Sequence, residues 1–439
     1  MSQLKGTYRE IIEIAIPLML GNMAWALIGI TDQAFMGHYG KTEEAAIGPV
    51  AIFYAILYMI GFGYSRGVQI LIARACGAGN KKEVGRLFDN TLLVMIATSL
   101  FFAIAVYVLK DFALHLLLHN EKIITACNDF MNYRLLGVPA SYTGALFVAF
   151  YSGIGRTKLL AFTVAVMAAL NILLNYLLVF GNWGFPEMGI KGSGLASSIA
   201  EWFSILILLW GLLGRKLHIE YHLFKARPVF SKIMLMTKTA TPLVLQSLIA
   251  NAGWFVFFTF VEKLGENNLS LSNILRQIIL WIGIPIWALG SVTNTLVSNL
   301  VGQNNFGEIK ASIIKVNIIS ISIALAQISL LLIFHNYIFA MFSSNTVIQE
   351  TALPATLVVC IALMLMSFAN TLFSGLVSVS GTRYALYIEF LAMIIYIAYV
   401  LFLFNLNSLK IEIAWTTEWI YWSVILFASF WKLKQAKVF

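Results

Sequence analysis

The stretch 21-GNMAWALIGITDQAFMGHYG-40 carries one acidic side chain, Asp32, in an otherwise apolar run. It belongs to a hydrophobic segment near residues 11–37, and a helix crosses a bilayer with about 20 apolar residues. A carboxylate at membrane depth is costly, so such residues usually face a protein interior or an aqueous cavity and mark an ion path. The alternative interpretation is that Gly37 and His38 end the helix early and leave Asp32 solvated.

The composition predicts a membrane protein. The 439 residues are 60% hydrophobic and 11% charged, whereas soluble domains carry about 25% charged residues. The net charge of +9 does not indicate a nucleic-acid partner, because Lys and Arg of membrane proteins gather in cytoplasmic loops. The cysteines, Cys76, Cys127 and Cys360, lie far apart and form no CxxC, so we expect neither a zinc site nor a disulfide framework. No cofactor is expected.

Twelve segments are long and apolar enough to be transmembrane helices, which predicts an all-α polytopic protein. They lie near residues 11–37, 46–73, 90–110, 130–151, 159–181, 190–213, 233–261, 271–298, 312–335, 351–377, 384–405 and 413–432. Basic residues gather in the loops after the second, fourth, sixth and eighth segments and in the C-terminal tail. The positive-inside rule therefore places both termini in the cytoplasm.

The two halves of the chain repeat, with three landmarks recurring at an interval of 225 residues. The paired landmarks are Pro17 and Pro242, Gly40 and Gly265, and Gly77 and Gly302. Six spans per repeat predict two pseudo-symmetric six-helix bundles inserted the same way up, with a substrate path between them. The predicted parts are an N-terminal lobe over 1–213, a basic cytoplasmic linker over 214–232 and a C-terminal lobe over 233–439. This plan, without a phosphate-binding GxxxxGK[ST] loop, favours a secondary transporter over an ATP-driven one or an enzyme.

Several motifs, in this order and spacing, make the chain resemble the multidrug and toxic compound extrusion (MATE) family over nearly its full length. They are AIPLMLGN (15–22), GITDQAFMGHYG (29–40), GFGYSRGVQILIARACGAGNKKEVGR (61–86), YSGIGRTK (151–158), NILLNYLLVFG (171–181) and GIKGSGLASSIAEW (189–202). Because its acidic residues sit in the first lobe, the chain is similar to the DNA-damage-inducible-F-like branch.

The resemblance implies a V-shaped cavity between the two bundles and efflux of amphipathic, often cationic, organic compounds in exchange for H⁺ or Na⁺. It also implies the inner membrane of a prokaryote, with small organic substrates and lipids as partners, and a hinge at Pro17. A proline removes one helical hydrogen bond, which makes that hinge physically reasonable. A monomer would suffice, because both lobes lie in one chain.

Polar residues of two later spans share the expected depth of Asp32. Asn171 and Asn175 are four residues apart on one helical face, as are Ser197 and Glu201. Counting from the outer helix ends puts Asp32, Asn175 and Ser197 in one layer. The alternative is that Asn and Ser make ordinary interhelical hydrogen bonds.

The family pattern matches Asp32, Asn171 and Ser197, but Asn175 stands where many members have a second aspartate. Two interpretations stay open. Either Glu201 restores the missing charge and all five residues bind Na⁺, or Asp32 carries a proton. The missing aspartate favours H⁺.

Aromatic and sulfur-containing side chains near these residues predict a substrate pocket. Trp25, Phe35 and Met36 lie within two turns of Asp32, and Tyr142 and Phe150 lie in the fourth span; each could instead be packing. Aromatic faces attract organic cations, and Met adapts to varied shapes. A flippase for a lipid-linked oligosaccharide is the alternative function, and it would favour a cationic central cavity.

Overall fold

The computed structural model describes residues 3–225, 227–342, 346–405 and 409–439, and their regular structure is helical. The long helices are α1 (Tyr8–Tyr39), α2 (Lys41–Gly77), α3 (Lys81–Leu117), α4 (Glu121–Arg134), α5 (Val138–Gly153), α6 (Lys158–Phe180), α7 (Ile190–Gly214), α9 (Phe230–Glu262), α10 (Glu266–Gly302), α11 (Gly307–Ile333), α13 (Thr346–Ser380), α14 (Thr382–Phe404) and α16 (Thr417–Gln435). Short helices are α8 (Leu217–Glu220), α12 (His335–Phe342) and α15 (Ile411–Ala414).

Eleven helical segments of the described residues are long and apolar enough to cross a membrane. The predicted all-α polytopic fold is confirmed, and each of the twelve predicted spans overlaps a helix. The twelfth corresponds to α16, which is not among the eleven because its length includes Glu418, Lys432 and Lys434.

The chain forms two compact units, one of Ile16–Val244 and one of the residues up to Ala15 together with Leu245–Phe439. We call them the N-terminal and C-terminal units. Each holds six of the predicted spans, but their boundaries differ from the predicted lobes at both ends. The start of the chain belongs to the C-terminal unit, and the predicted linker and the start of α9 belong to the N-terminal unit.

Hydrogen bonds explain why the start of the chain belongs to the C-terminal unit. The Leu4 amide donates to Oδ1 of Asn299 at 2.9 Å, and Nε2 of Gln303 donates to the Leu4 carbonyl at 2.8 Å. Lys315 donates to the Gly6 carbonyl at 3.1 Å. Backbone groups of this extended stretch are thereby satisfied by side chains of α10 and α11.

The predicted linker packs against α3. Asp89 accepts hydrogen bonds from the backbone amides of Phe224, at 2.8 Å, and Lys225, at 3.0 Å. Leu217 and Tyr221 are fully buried. A segment that sequence composition suggests is a solvated connection is therefore part of the packed N-terminal unit.

The α6–α7 hairpin sets the relative position of two polar faces. Gly181 caps α6 with φ +68°, a left-handed conformation that glycine adopts without a Cβ penalty. At the start of α7, a Cβ on Gly192 would lie 2.6 Å from the Leu178 carbonyl oxygen, so the backbones approach closely only because Gly192 has no side chain. This approach brings Asn171 and Asn175 next to α7.

The predicted fourth span is built from α4, a 3-10 turn over Leu135–Gly137, and α5. Pro139 lies in the first turn of α5 and has no N–H to donate, which accounts for the tightened turn before it. Arg134 ends the 14-residue α4, so it lies in the interior of the combined helix rather than near its end.

We expect Gly192→Ala to lower the free energy of unfolding by about 1–3 kcal/mol, because the added methyl group overpacks the α6–α7 contact. Gly214, at the other end of α7, has open space around its Cβ position, so Gly214→Ala is the matched control and should be neutral or slightly stabilising. Thermal unfolding in detergent, followed by tryptophan fluorescence, measures both. Equal melting temperatures for the two variants would contradict this account of the hairpin.

Candidate functional site

The Asp32 carboxylate on α1 is held by two side chains from the α6–α7 hairpin. Asn175 Nδ2 donates to Oδ1 of Asp32 at 2.8 Å, and Ser197 Oγ donates to Oδ2 at 2.9 Å. Asn171 Nδ2 donates to Ser197 Oγ at 3.0 Å and orients that hydroxyl. The structure thus brings together four of the five residues that the sequence grouped as an ion-coupling set.

Two amide oxygens in this network have no partner among the described residues. Oδ1 of Asn171 and Oδ1 of Asn175 are buried and accept no hydrogen bond. A buried unsatisfied polar atom costs about 1–3 kcal/mol and calls for an explanation. With the Asp32 carboxylate, these oxygens are of the type that hard cations prefer. No group of three His, Cys, Asp or Glu residues suited to a metal ion occurs in the described part of the chain.

Glu201 lies outside this hydrogen-bond network and forms an ion pair with Arg134. The guanidinium binds both carboxylate oxygens, at 2.6 and 2.9 Å, and the Tyr54 hydroxyl donates to the same carboxylate at 2.9 Å. The Arg134 guanidinium carbon also lies 3.6 Å from the centroid of the Tyr54 ring. Glu201 therefore has its charge compensated locally, in contrast to the sequence interpretation in which it replaces a missing carboxylate beside Asp32.

Gly137 makes room for this ion pair. A Cβ at this position would lie 2.6 Å from Nη1 of Arg134 and 2.6 Å from Oε2 of Glu201. The 3-10 turn thus places Gly137, which has no side chain, where the side chains of α4 and α7 meet. Arg134 and Glu201 are largely buried there, with side-chain exposures of 11% and 14%.

A cavity with a volume of about 130 Å³ lies in the N-terminal unit. A protein cavity of about 150 Å³ can bind benzene, so this one is close to the size of a small aromatic ring. Its lining includes the polar side chains Asn22, Tyr58, Ser141, Thr163, Glu201 and Ser204, together with Pro17, Phe62, Gly144, Met167 and other apolar residues. Among the described residues, Glu201 is the charged side chain that lines it. Tyr58 and Phe62 stack with ring centroids 5.6 Å apart.

The side chains predicted to contact a substrate are placed elsewhere. Met36, Tyr142 and Phe150 are buried in the packed interior, and the Tyr142 hydroxyl donates to the Leu57 carbonyl at 2.8 Å. Phe35 is half-buried and packs on Phe180, with ring centroids 5.9 Å apart. The side chain of Trp25 lies outside the described residues. None of the four described side chains lines the cavity.

Sequence reasoning missed Arg134, Tyr54 and Tyr58. The signal for Arg134 was available, since it is a charged residue inside the predicted span 130–151, as Asp32 is in the first span. Tyr54 and Tyr58 lie four residues apart on one face of α2. No pattern in the sequence shows that this face meets α4 and α7.

A second acidic cluster lies in the C-terminal unit. Glu389 is fully buried and accepts hydrogen bonds from Nε2 of Gln246, at 2.9 Å, and from the Tyr421 hydroxyl, at 2.7 Å. Glu418, 4% exposed, interacts with Tyr396. The second bundle therefore also buries carboxylates, although its sequence showed no acid in the middle of its first or fourth span.

Comparisons with known proteins connect this architecture to a family. The MatE family profile matches residues 17–177 and again residues 242–402. The interval between the two matches equals the 225-residue interval of the internal repeat.

Named relatives have related sequences. The Probable multidrug resistance protein NorM of Thermotoga maritima is 26% identical over 300 residues, which cover 68% of this chain. The match spans 64% of that protein's length, just under two thirds. The Probable multidrug resistance protein YoeA of Bacillus subtilis is 22% identical over 381 residues, covering 85% of this chain and 82% of that protein.

Solved structures share the fold. One is described as the outward-facing conformation of a multidrug resistance MATE family transporter, with a TM-score of 0.91 at 16% identity. Another is described as MATE in the straight conformation, with a TM-score of 0.90 at 15% identity. Both alignments cover 99% of this chain and 97% of the matched chain. Since the family profile matches both halves of the sequence, the chain belongs to the MatE, or multidrug and toxic compound extrusion, family.

Proposed function

We propose that the protein is a cation-coupled antiporter that exports amphipathic, often cationic, organic compounds across the inner membrane of a prokaryote by alternating access. Membership of the MatE family and relatives named as multidrug resistance proteins support export as the activity. The observation that supports the coupling is the Asp32 carboxylate, which lies inside the apolar helix α1 and is held by Asn175 and Ser197.

The coupling ion binds at Asp32. A carboxylate in a poorly solvated site is stabilised by a bound proton or a bound cation, which removes its charge. Asn171 and Asn175 offer their unpartnered Oδ1 atoms to a cation, so Na⁺ would be held by these oxygens with Asp32 and Ser197. H⁺ is favoured, because the site has a single uncompensated carboxylate and needs no further ligands to bind a proton.

The cavity is the proposed substrate pocket. Its lining combines apolar side chains, the stacked rings of Tyr58 and Phe62, and the carboxylate of Glu201. An amphipathic cation needs these three features, since its hydrocarbon part is buried while its charge meets aromatic faces and an acid. The cavity admits a small ring, and larger substrates require it to widen.

Pro17 connects the pocket with the ion site. It lines the cavity, lies inside α1 and precedes Asp32 on the same helix by about 22 Å at 1.5 Å per residue. Because its ring removes a helical hydrogen bond, α1 can change its bend there at low cost. A change at Asp32 would then alter the pocket wall.

The alternative, flipping of a lipid-linked oligosaccharide, has weaker support. Such a substrate carries phosphate groups and needs a cationic pocket, whereas the charged side chain lining this cavity among the described residues is the carboxylate of Glu201. Arg134 is directed at that carboxylate rather than at the cavity.

Asp32→Asn should abolish uphill transport, because the amide cannot release a proton or balance a cation. We would reconstitute the variant in liposomes and follow a fluorescent organic cation, with a pH gradient and a Na⁺ gradient imposed separately. The expected loss is at least about tenfold, equivalent to about 1.4 kcal/mol in the coupled step. Asp111→Asn, a change at an exposed position of α3, is the matched control and should transport normally.

Wild-type uphill transport by a correctly folded Asp32→Asn protein would disprove coupling at Asp32. If the variant fails, the gradient that drives the wild-type protein identifies the ion.

Gly144→Leu should lower transport of bulky substrates, because Gly144 lines the cavity and has open space where the new side chain would stand. Gly48→Leu is the matched control, since Gly48 also has open space but lies outside the cavity. We expect the affinity for a large cation to fall about tenfold or more in Gly144→Leu alone, as measured by fluorescence titration in detergent. Equal affinities in both variants would place the substrate elsewhere.

A further inference from the structure

We propose that Arg134 is a movable counter-ion, which leaves Glu201 for Asp32 when a cationic substrate enters the cavity and thereby expels the coupling proton. The inference rests on the proposed antiport function and adds the residue that transmits coupling between the two sites. It assigns Glu201 to the substrate and Asp32 to the ion, rather than both to one ion site.

The charges around the two carboxylates support this division. The ionisable groups gathered around this face of α7 are Asp32 on α1, Tyr54 and Tyr58 on α2, Arg134 on α4 and Glu201 on α7. With both phenols neutral, two carboxylates and one guanidinium leave a net charge of −1. Either one added H⁺ or one monovalent organic cation neutralises the set. Binding of both would leave the set with a net positive charge. The two ligands therefore compete through charge even when they occupy different positions.

Arg134 is placed to serve either carboxylate. Its guanidinium makes a two-point ion pair with Glu201, and Ser197, one turn before Glu201 on α7, donates to Asp32, so both carboxylates meet the same face of α7. The Tyr54 ring supports it at 3.6 Å, and a cation stays attracted to a ring face out to about 6 Å. The guanidinium can therefore shift toward Asp32 without losing the ring. The room left by Gly137 keeps backbone and Cβ atoms out of its way.

A cation in the cavity competes with Arg134 for Glu201, because Glu201 lines the cavity and binds Arg134, which is not part of the lining. A displaced guanidinium is costly in a buried site unless it meets another carboxylate, and Asp32 is the second carboxylate of this set. Its N–H groups then bind the ionised form of Asp32, so the proton on that carboxyl leaves to water. In reverse, protonation of Asp32 returns Arg134 to Glu201 and releases the substrate. By thermodynamic linkage, each ligand weakens the other by the same factor.

The test measures the affinity of the purified protein for ethidium in detergent, at several pH values between about pH 5 and pH 8. Ethidium is the probe, an organic monocation followed by its fluorescence. In the wild type the affinity should rise with pH by up to about tenfold per pH unit, the limit for one linked proton. A pH indicator in weak buffer should detect proton release on binding.

The decisive variant is the double change Arg134→Gln with Glu201→Gln. It removes both charges together, so no buried charge is left unpaired, and the net charge stays at −1. We expect ethidium affinity to fall at least tenfold, because the cavity loses its acid. We expect its pH dependence to become clearly weaker than in the wild type, because only direct charge competition with Asp32 remains. Arg134→Lys, which keeps the positive charge, should retain the pH dependence.

A matched control pair lies on the same two helices. Lys191 on α7 pairs with Asp129 on α4 at 3.3 Å, and the double change Lys191→Gln with Asp129→Asn should leave binding and its pH dependence unchanged. Wild-type pH dependence in the Arg134→Gln, Glu201→Gln protein would overturn the inference and leave that ion pair a structural contact. Absence of any proton linkage in the wild type would overturn this inference and H⁺ as the coupling ion. The proposed antiport would be overturned only if neither a pH gradient nor a Na⁺ gradient drove uphill transport.

Discussion

The cost of keeping a carboxylate at membrane depth is the constraint on which the N-terminal unit depends. Asp32 is stabilised by donors from Asn175 and Ser197, and Ser197 is oriented in turn by Asn171. These donors can reach it only because α6 and α7 form a tight hairpin, whose close approach requires a glycine at position 192. The placement of these polar groups therefore depends on how closely the apolar helices pack. A polar group without an internal partner would stay unsatisfied, because no water is available inside a bilayer.

The ion pair of Glu201 and Arg134 is the second polar feature of the unit, and it too satisfies a carboxylate in the helical interior. Glu201 is satisfied by a cation, Arg134, rather than by neutral donors. A buried ion pair adds little net stability, because desolvation offsets most of the attraction. In the proposed mechanism, this ion pair belongs to a charge balance with the Asp32 carboxylate, and a ligand that enters the cavity alters that balance. A network held only by neutral hydrogen bonds would have no such response to an entering cation.

Much of the candidate site could be predicted from spacing. Four-residue intervals put Asn171 with Asn175 and Ser197 with Glu201 on helical faces, and counting depth put Asn175 and Ser197 in one layer with Asp32. The pairing of Glu201 with Arg134 could not be foreseen, although Arg134 lies inside the predicted span, because it depends on which face of α7 meets α4. That helix starts at Glu121, nine residues before the predicted span, and this start makes Arg134 an interior residue. The aromatic side chains show a related limit. Met36, Tyr142 and Phe150 lie near the site in sequence or depth, yet packing turns them into the interior.

The sequence by itself determined the class of protein, the approximate limits of its spans, the twofold repeat and the presence of an acid, Asp32, inside the first span. Each of these depends on hydrophobicity summed over many residues, on a constant spacing within the chain or on residue type. None of them requires knowledge of which residues are in contact. Tertiary structure alone decided which carboxylate is compensated, which side chains line the cavity and where the two units divide. Those outcomes depend on helix rotation and on contacts of a few ångströms, and a difference of 100° per residue around a helix separates a lining side chain from a packed one.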